Sequence, residues 1–183
     1  MVVVAFVGSP RKGGNTDRLV EEILAGATEA GHQIEKVYLT DYALTPIDAV
    51  YGSEMDWTDP RQDVADELIE RMVAADVVVL GSPVYWFNVS GLLKLFIDRW
   101  SLYRRGVERL MDRMAGKKMV VALAMADPHP DYVEVVLAPL RQAAKWLEMG
   151  WAGEVIASGV SDPGDIENHH QVLSEARELG KSL

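Results

Sequence analysis

The sequence predicts an α/β fold, a doubly wound sandwich of three layers built on a five-stranded parallel sheet. Three observations carry this. Short β-branched runs alternate with longer segments of helical period. The strand candidates are apolar throughout rather than alternating, as strands covered by helices on both faces must be. A length of 183 residues suits one domain with a substantial core, so residues 1–183 read as a single domain.

The elements follow in order. Val2–Val7 is the first strand, and Leu19, Val20, Ile23, Leu24 and Ala27 form the apolar stripe of the first helix, with Gly31 as its stop. Ile34–Leu39 is the second strand, and the following stretch, Thr40–Pro60, is long enough for a connection to mark a functional loop. Val64, Leu68, Ile69 and Met72 make the second helix stripe, and Val77–Leu80 the third strand. Leu92, Leu93, Phe96, Ile97 and Trp100 make a strong third stripe, its helix starting at Asn88 or Ser90. Met119–Ala124 is the fourth strand, Tyr132–Glu148 the fourth helix with Pro139 as a kink, Glu154–Ala157 the fifth strand and Ile166–Leu179 a weaker fifth helix. There is no internal repeat, low-complexity tract or linker.

Composition narrows the function. The absence of cysteine removes disulfides, thiolate nucleophiles and cysteine-ligated zinc or iron–sulfur centres, so redox chemistry needs a borrowed cofactor. A formal net charge of −10 argues against nucleic-acid partners and anionic membrane surfaces, both of which reward clustered Lys and Arg. No secretory leader and no apolar run near the roughly 18 residues of a membrane span are seen, so a cytoplasmic location is expected.

In such folds ligands sit outside the carboxyl ends of the strands, where strand order reverses. Three loops should converge there: Gly8–Thr16, Gly81–Gly91 and Met125–Asp131. The first runs from a strand into a helix start and reads Gly-Ser-Pro-Arg-Lys-Gly-Gly-Asn-Thr. Loop amides and the positive end of the helix dipole face an anion there, and Ser9, Arg11, Asn15 and Thr16 add donors. Gly13 is followed by Gly14 and Asn15 rather than Lys and Ser or Thr, which excludes a nucleoside-triphosphate loop, and Ser9 and Pro10 break the dinucleotide fingerprint. A single terminal phosphate fits best; taken alone, the segment reads equally as an ordinary strand-to-helix turn. The second loop holds three consecutive aromatics, Tyr85 to Phe87, which a planar heteroaromatic ligand would cover. The alternative is that Trp86 and Phe87 cap the core or fill a subunit interface.

Together, Gly8-Ser9-Pro10-Arg11-Lys12-Gly13-Gly14-Asn15-Thr16 and Gly81-Ser82-Pro83-Val84-Tyr85-Trp86 resemble the two motif loops of the flavodoxin-like NADPH-dependent FMN reductase family, in the branch related to iron–sulfur flavoproteins. The match continues through Ser90-Gly91-Leu92-Leu93-Lys94 to Phe96-Ile97-Asp98-Arg99. The resemblance implies strand order 2-1-3-4-5 and bound FMN. The phosphate would be held by Ser9, Arg11, Asn15 and Thr16, with Lys12 in the same loop. Pro83, Val84, Tyr85, Trp86 and Asn88 would border the ring, and Asp127 of the third loop joins the binding set. Reduction by NADPH or NADH, a small-molecule acceptor such as a quinone or free flavin, and a homodimer or higher homo-oligomer are also implied.

Part of the family carries a cysteine-rich stretch after the second strand that holds an iron–sulfur cluster; the matching segment from Leu44 to Trp57 has none, so that relay is excluded. Trp57 reads as a pin for that loop, with Met55 and Trp57 as a cover for the flavin the alternative. Relatives often place glycines after the fourth strand, where this chain has Ala124, Met125, Ala126 and Asp127. His129 is a candidate proton donor, although between Pro128 and Pro130 it reads first as a turn residue. His169 and His170 are adjacent and do not share a helix face, so no metal is expected. Two functions are carried forward: an NAD(P)H-dependent FMN oxidoreductase, and a flavodoxin-like FMN electron carrier serving protein partners.

Overall fold

The computed structural model describes residues 1–47, 64–103 and 109–183. Asp48, Met55 and Trp57, on which part of the loop reading rests, lie outside the described residues. The elements are β1 (Val2–Val7), α1 (Asn15–Glu29), β2 (Gln33–Tyr38), α2 (Val64–Ala74), β3 (Val77–Tyr85), β4 (Asn88–Val89) and α3 (Gly91–Arg99), followed by α4 (Leu110–Met114), β5 (Lys118–Met125), α5 (Val133–Trp146), β6 (Gly150–Ser158) and α6 (His170–Lys181). The sheet order is β2-β1-β3-β5-β6, all pairs parallel, which is the expected 2-1-3-4-5 once the short β4 is set aside.

Alternate residues of each central strand supply the two faces. Val3, Ala5 and Val7 pack with Leu19, Val20 and Ile23 of α1 and Leu173 and Ala176 of α6. Val4 and Phe6 point the other way, onto α2, α3 and α5 through Leu68, Leu93 and Leu140. Phe6 meets Phe96 at 4.7 Å, and Phe96 meets Trp100 edge-on at 5.7 Å. Burial of each such side chain contributes about 1.5–3 kcal/mol, enough in aggregate to hold both helix layers to the sheet.

Three expectations need correction. The segment Gly81–Tyr85, read as loop, continues β3 and then turns back through the short hairpin strand β4. The ladder with β1 ends at Gly81, so Pro83 lies where one neighbour has already left, although β5 still pairs at Pro83↔Ala124. β6 begins four residues early, at Gly150, because a register shift opposite Met119/Val120 absorbs an extra residue. The last helix begins at His170 rather than Ile166, since Asp165–Asn168 form a separate 3-10 turn.

Candidate functional site

At the carboxyl ends of β1, β3, β5 and β6 a cleft of about 240 Å³ opens. Ser9, Arg11, Asn15 and Thr16 line one end, and Pro83, Val84 and Tyr85 one flank. Ala124, Ala126, Val160 and Ser161 complete it.

Each wall is built by local chemistry. Ser9 is buried, and its Oγ accepts the Arg11 amide at 3.2 Å, which closes the turn after β1. α1 then starts at Asn15, and its first-turn N–H groups have no partner within the helix, so they present donors to an anion. Asp17, in that first turn, is buried and reaches back to the Gly13 amide at 2.7 Å. Its carboxylate also receives Lys36 Nζ and the Tyr38 hydroxyl, each at 2.9 Å. Burial works against the charge on Lys36, but Glu21, Tyr38 and Asp17 outweigh it and hold its pKa above the ordinary lysine value. The loop is thus braced from beneath by a buried carboxylate paired with Lys36.

The first two loops are tied together. Ser90 caps α3, its Oγ accepting the Leu93 amide at 3.1 Å while donating to the Gly8 carbonyl at 2.6 Å. The Ser90 amide in turn donates to Ser82 Oγ at 2.9 Å. Gly8 has no side chain because α3 leaves no room: a β-carbon there would lie 2.7 Å from Leu93 Cβ.

The β3–β4 hairpin carries the aromatics. Tyr85 pairs with Asn88, so Trp86 and Phe87 form a two-residue turn, and both have positive φ, 48° and 61°. Such turns ordinarily use Asn and Gly, and bulky residues in this conformation cost about 1–2 kcal/mol each. The hairpin holds Trp86 out, 93 % exposed, and sets Phe87 edge-on to Tyr132 at 4.8 Å. A second pocket of about 220 Å³ lies here, lined by Val84, Trp86, Phe87, Met125, Ala126, Asp127 and Tyr132. It shares Val84 and Ala126 with the cleft. Desolvation and the neighbouring Asp127 carboxylate hold the Tyr132 phenol above its ordinary pKa.

The structure brings Ser9, Arg11, Asn15, Thr16, Pro83, Val84 and Tyr85 to one cleft, and Trp86 and Asp127 to the adjoining pocket. It does not bring in Lys12, whose Nζ turns to Asp41 at 2.6 Å and lies over the Tyr38 ring. Asn88 is exposed, its Oδ1 accepting the adjacent Val89 amide at 2.8 Å. His129 is exposed, and its amide donates to Asp127 Oδ1 at 2.8 Å, in a turn. Val160 and Ser161 were missed. They belong to a fourth loop after β6, which the run Gly159 to Gly164 signals by its Ser, Pro and two Gly residues.

A groove of about 400 Å³ between α3 and α5, lined by Ile97, Trp100, Pro139 and Trp146 among others, is larger. It lies away from the strand ends and brings no cation, so the smaller cleft is the better ligand site. Among the described residues no group of three His, Asp or Glu side chains could hold a metal ion, and no helix is long and apolar enough to cross a membrane.

The donor set at one end, small residues at Ala124 and Ala126 and an open apolar flank fit an elongated ligand with a terminal phosphate and a flat body. Comparison with known proteins agrees. The NADPH-dependent FMN reductase family matches residues 1–161. A Bacillus subtilis protein whose name proposes an NAD(P)H-dependent FMN-containing oxidoreductase is 33% identical over 184 residues, covering 99% of this chain and 97% of its own. An iron–sulfur flavoprotein of Methanocaldococcus jannaschii is 32% identical over 190 residues, covering 100% and 95%. The structure of a Bacillus subtilis Trp repressor binding protein superposes with a TM-score of 0.75 at 29% identity, over 98% of this chain and 97% of that one.

Proposed function

The chain belongs to the NADPH-dependent FMN reductase family, and from that premise we propose that the cleft is its FMN site and the adjoining pocket the place where donor and acceptor meet the ring. The protein is an FMN-dependent NAD(P)H oxidoreductase. FMN supplies the hydride-accepting chemistry; the chain supplies position. Arg11, Asn15, Thr16 and the first turn of α1 hold the phosphate, while Pro83, Val84 and Tyr85 border the ring. Backbone amides near Tyr85 and Trp86 are the groups placed to hydrogen-bond the pyrimidine edge, where charge accumulates on reduction.

One observation carries the proposal: cleft and pocket share Val84 and Ala126. A ring in the cleft is therefore exposed to whatever the pocket holds. Phe87 set edge-on to Tyr132, with the Met125 side chain, fits a flat, small acceptor of quinone type. The assembly proposed is a homodimer in which a second copy covers the exposed Trp86, in the cytoplasm, where reduced nicotinamides are supplied. The single domain spans residues 1–183. Steady-state oxidation of NADPH with a quinone tests the pocket: Phe87→Ala should raise KM for the quinone about tenfold, as loss of an aromatic contact does, and leave FMN affinity alone. An unchanged KM would remove the acceptor from this pocket.

A further inference from the structure

The fourth loop begins close to residue 161, where the family match ends, and it grips the two side chains on which phosphate binding rests. Arg11 Nη1 donates to the Ser161 carbonyl at 3.3 Å, and Asn15 Nδ2 donates to the Asp162 carbonyl at 2.9 Å. Asn15 Oδ1 accepts the Ile166 amide at 3.2 Å, so this side chain is held at both ends. The loop is itself anchored: Ile166 is buried beside α1, and Glu167 pairs with Arg18 at 2.9 Å.

One carboxylate sets the loop's shape. Asp165 Oδ2 accepts the Ser161 amide at 2.9 Å and the Asp162 amide at 2.7 Å. The Asp162 N–H and the Ser161 C=O belong to one planar trans peptide and point in opposite directions. Drawing that N–H to Asp165 therefore turns the Ser161 carbonyl the other way, toward Arg11. Gly164, at φ 91°, makes the reversal that returns Asp165 to the amides.

We propose that Asp165 is a positioning residue for the cofactor phosphate, shaping the fourth loop so that its carbonyls hold Arg11 and Asn15 toward the cleft before ligand arrives. The proposal rests on the reading of the cleft as the FMN site. Long side chains ordered in advance lose less freedom on binding, and the gain falls on the phosphate, which riboflavin lacks.

The test compares FMN and riboflavin dissociation constants, read from flavin fluorescence, on the full-length protein freed of flavin. Asp165→Ala should weaken FMN roughly tenfold and leave riboflavin within about twofold, the scale expected for two side chains no longer ordered in advance. Asp165→Asn keeps a carbonyl oxygen in place and should recover most of the loss. In an Arg11→Ala background, Asp165→Ala should cost less than in the parent, because part of its effect acts through Arg11. Equal weakening of both flavins, no weakening of FMN, or full additivity with Arg11→Ala would overturn the proposal. A parent protein that binds neither flavin would instead overturn the cofactor reading beneath it.

Discussion

Gly26 of α1 and Gly180 of α6 lie against each other's helix backbone. A β-carbon on Gly26 would fall 2.0 Å from the Arg177 carbonyl oxygen, and one on Gly180 would fall 2.0 Å from the Ile23 carbonyl oxygen. Two helices that close cannot admit even a methyl group without moving apart. The first turn of α1 lines the cleft through Asn15 and Thr16, so this contact anchors, toward its other end, the helix that supplies that wall.

Gly26→Ala should therefore destabilise the protein despite alanine's better helix propensity. The overpacking penalty is about 1–3 kcal/mol or more, against about 1 kcal/mol gained from propensity. Denaturant unfolding checks the sign, and a more stable variant would mean that the helices are not in contact here.

Beside these glycines, Glu22 is buried between Arg18 and Arg177. Burial raises its pKa, but hydrogen bonds from Arg177 and Arg18 prevail and leave it below the ordinary glutamate value. A carboxyl lowered in the folded state contributes stability above its unfolded pKa and loses it as pH falls through the folded one. Glu22→Gln should cost roughly 1–3 kcal/mol at neutral pH, discounted for partly exposed partners, and less in acid. Thermal melts from pH 7 down to pH 3 check it: a difference independent of pH would exclude the ion-pair account.

Arg11→Ala should weaken FMN far more than riboflavin, since a charge-assisted contact to phosphate contributes roughly 1.5–3 kcal/mol. Equal losses for both ligands, measured by titration, would move the phosphate away from the first loop.

Replacing Trp86-Phe87 by Asn-Gly should relieve the strained turn and stabilise the protein by about 1–2 kcal/mol. The same change removes the aromatic walls of the second pocket, so turnover with a quinone should fall. Chemical denaturation and steady-state rates on one preparation test both halves; gains in stability and in turnover together would show that the aromatics serve no acceptor.

The sheet order, and the meeting of Ser9, Arg11, Asn15 and Thr16 at one end of a cleft, were legible because both depend on local patterns, apolar runs and a strand-to-helix loop. The reach of β3 to Tyr85 was not, since Ser82-Pro83 has the composition of a turn and is accommodated only because the β1 ladder ends at Gly81. Lys12 reads as a phosphate cation until Asp41, twenty-nine residues on, is brought beside it. Trp86 reads as a residue bordering the ring; that it stands 93 % exposed in a two-residue turn of positive φ is not written in any local pattern, because Trp is an uncommon residue for such a turn. Ser161 is separated from Arg11 by 150 residues, and no local signal pairs them.

The most direct measurement is the visible spectrum of the FMN-loaded protein, recorded without oxygen before and after NADPH and then NADH. The account predicts that flavin is retained after removal of excess and that its absorbance bleaches rapidly on adding a nicotinamide. A retained flavin that stays oxidised with both donors would contradict it.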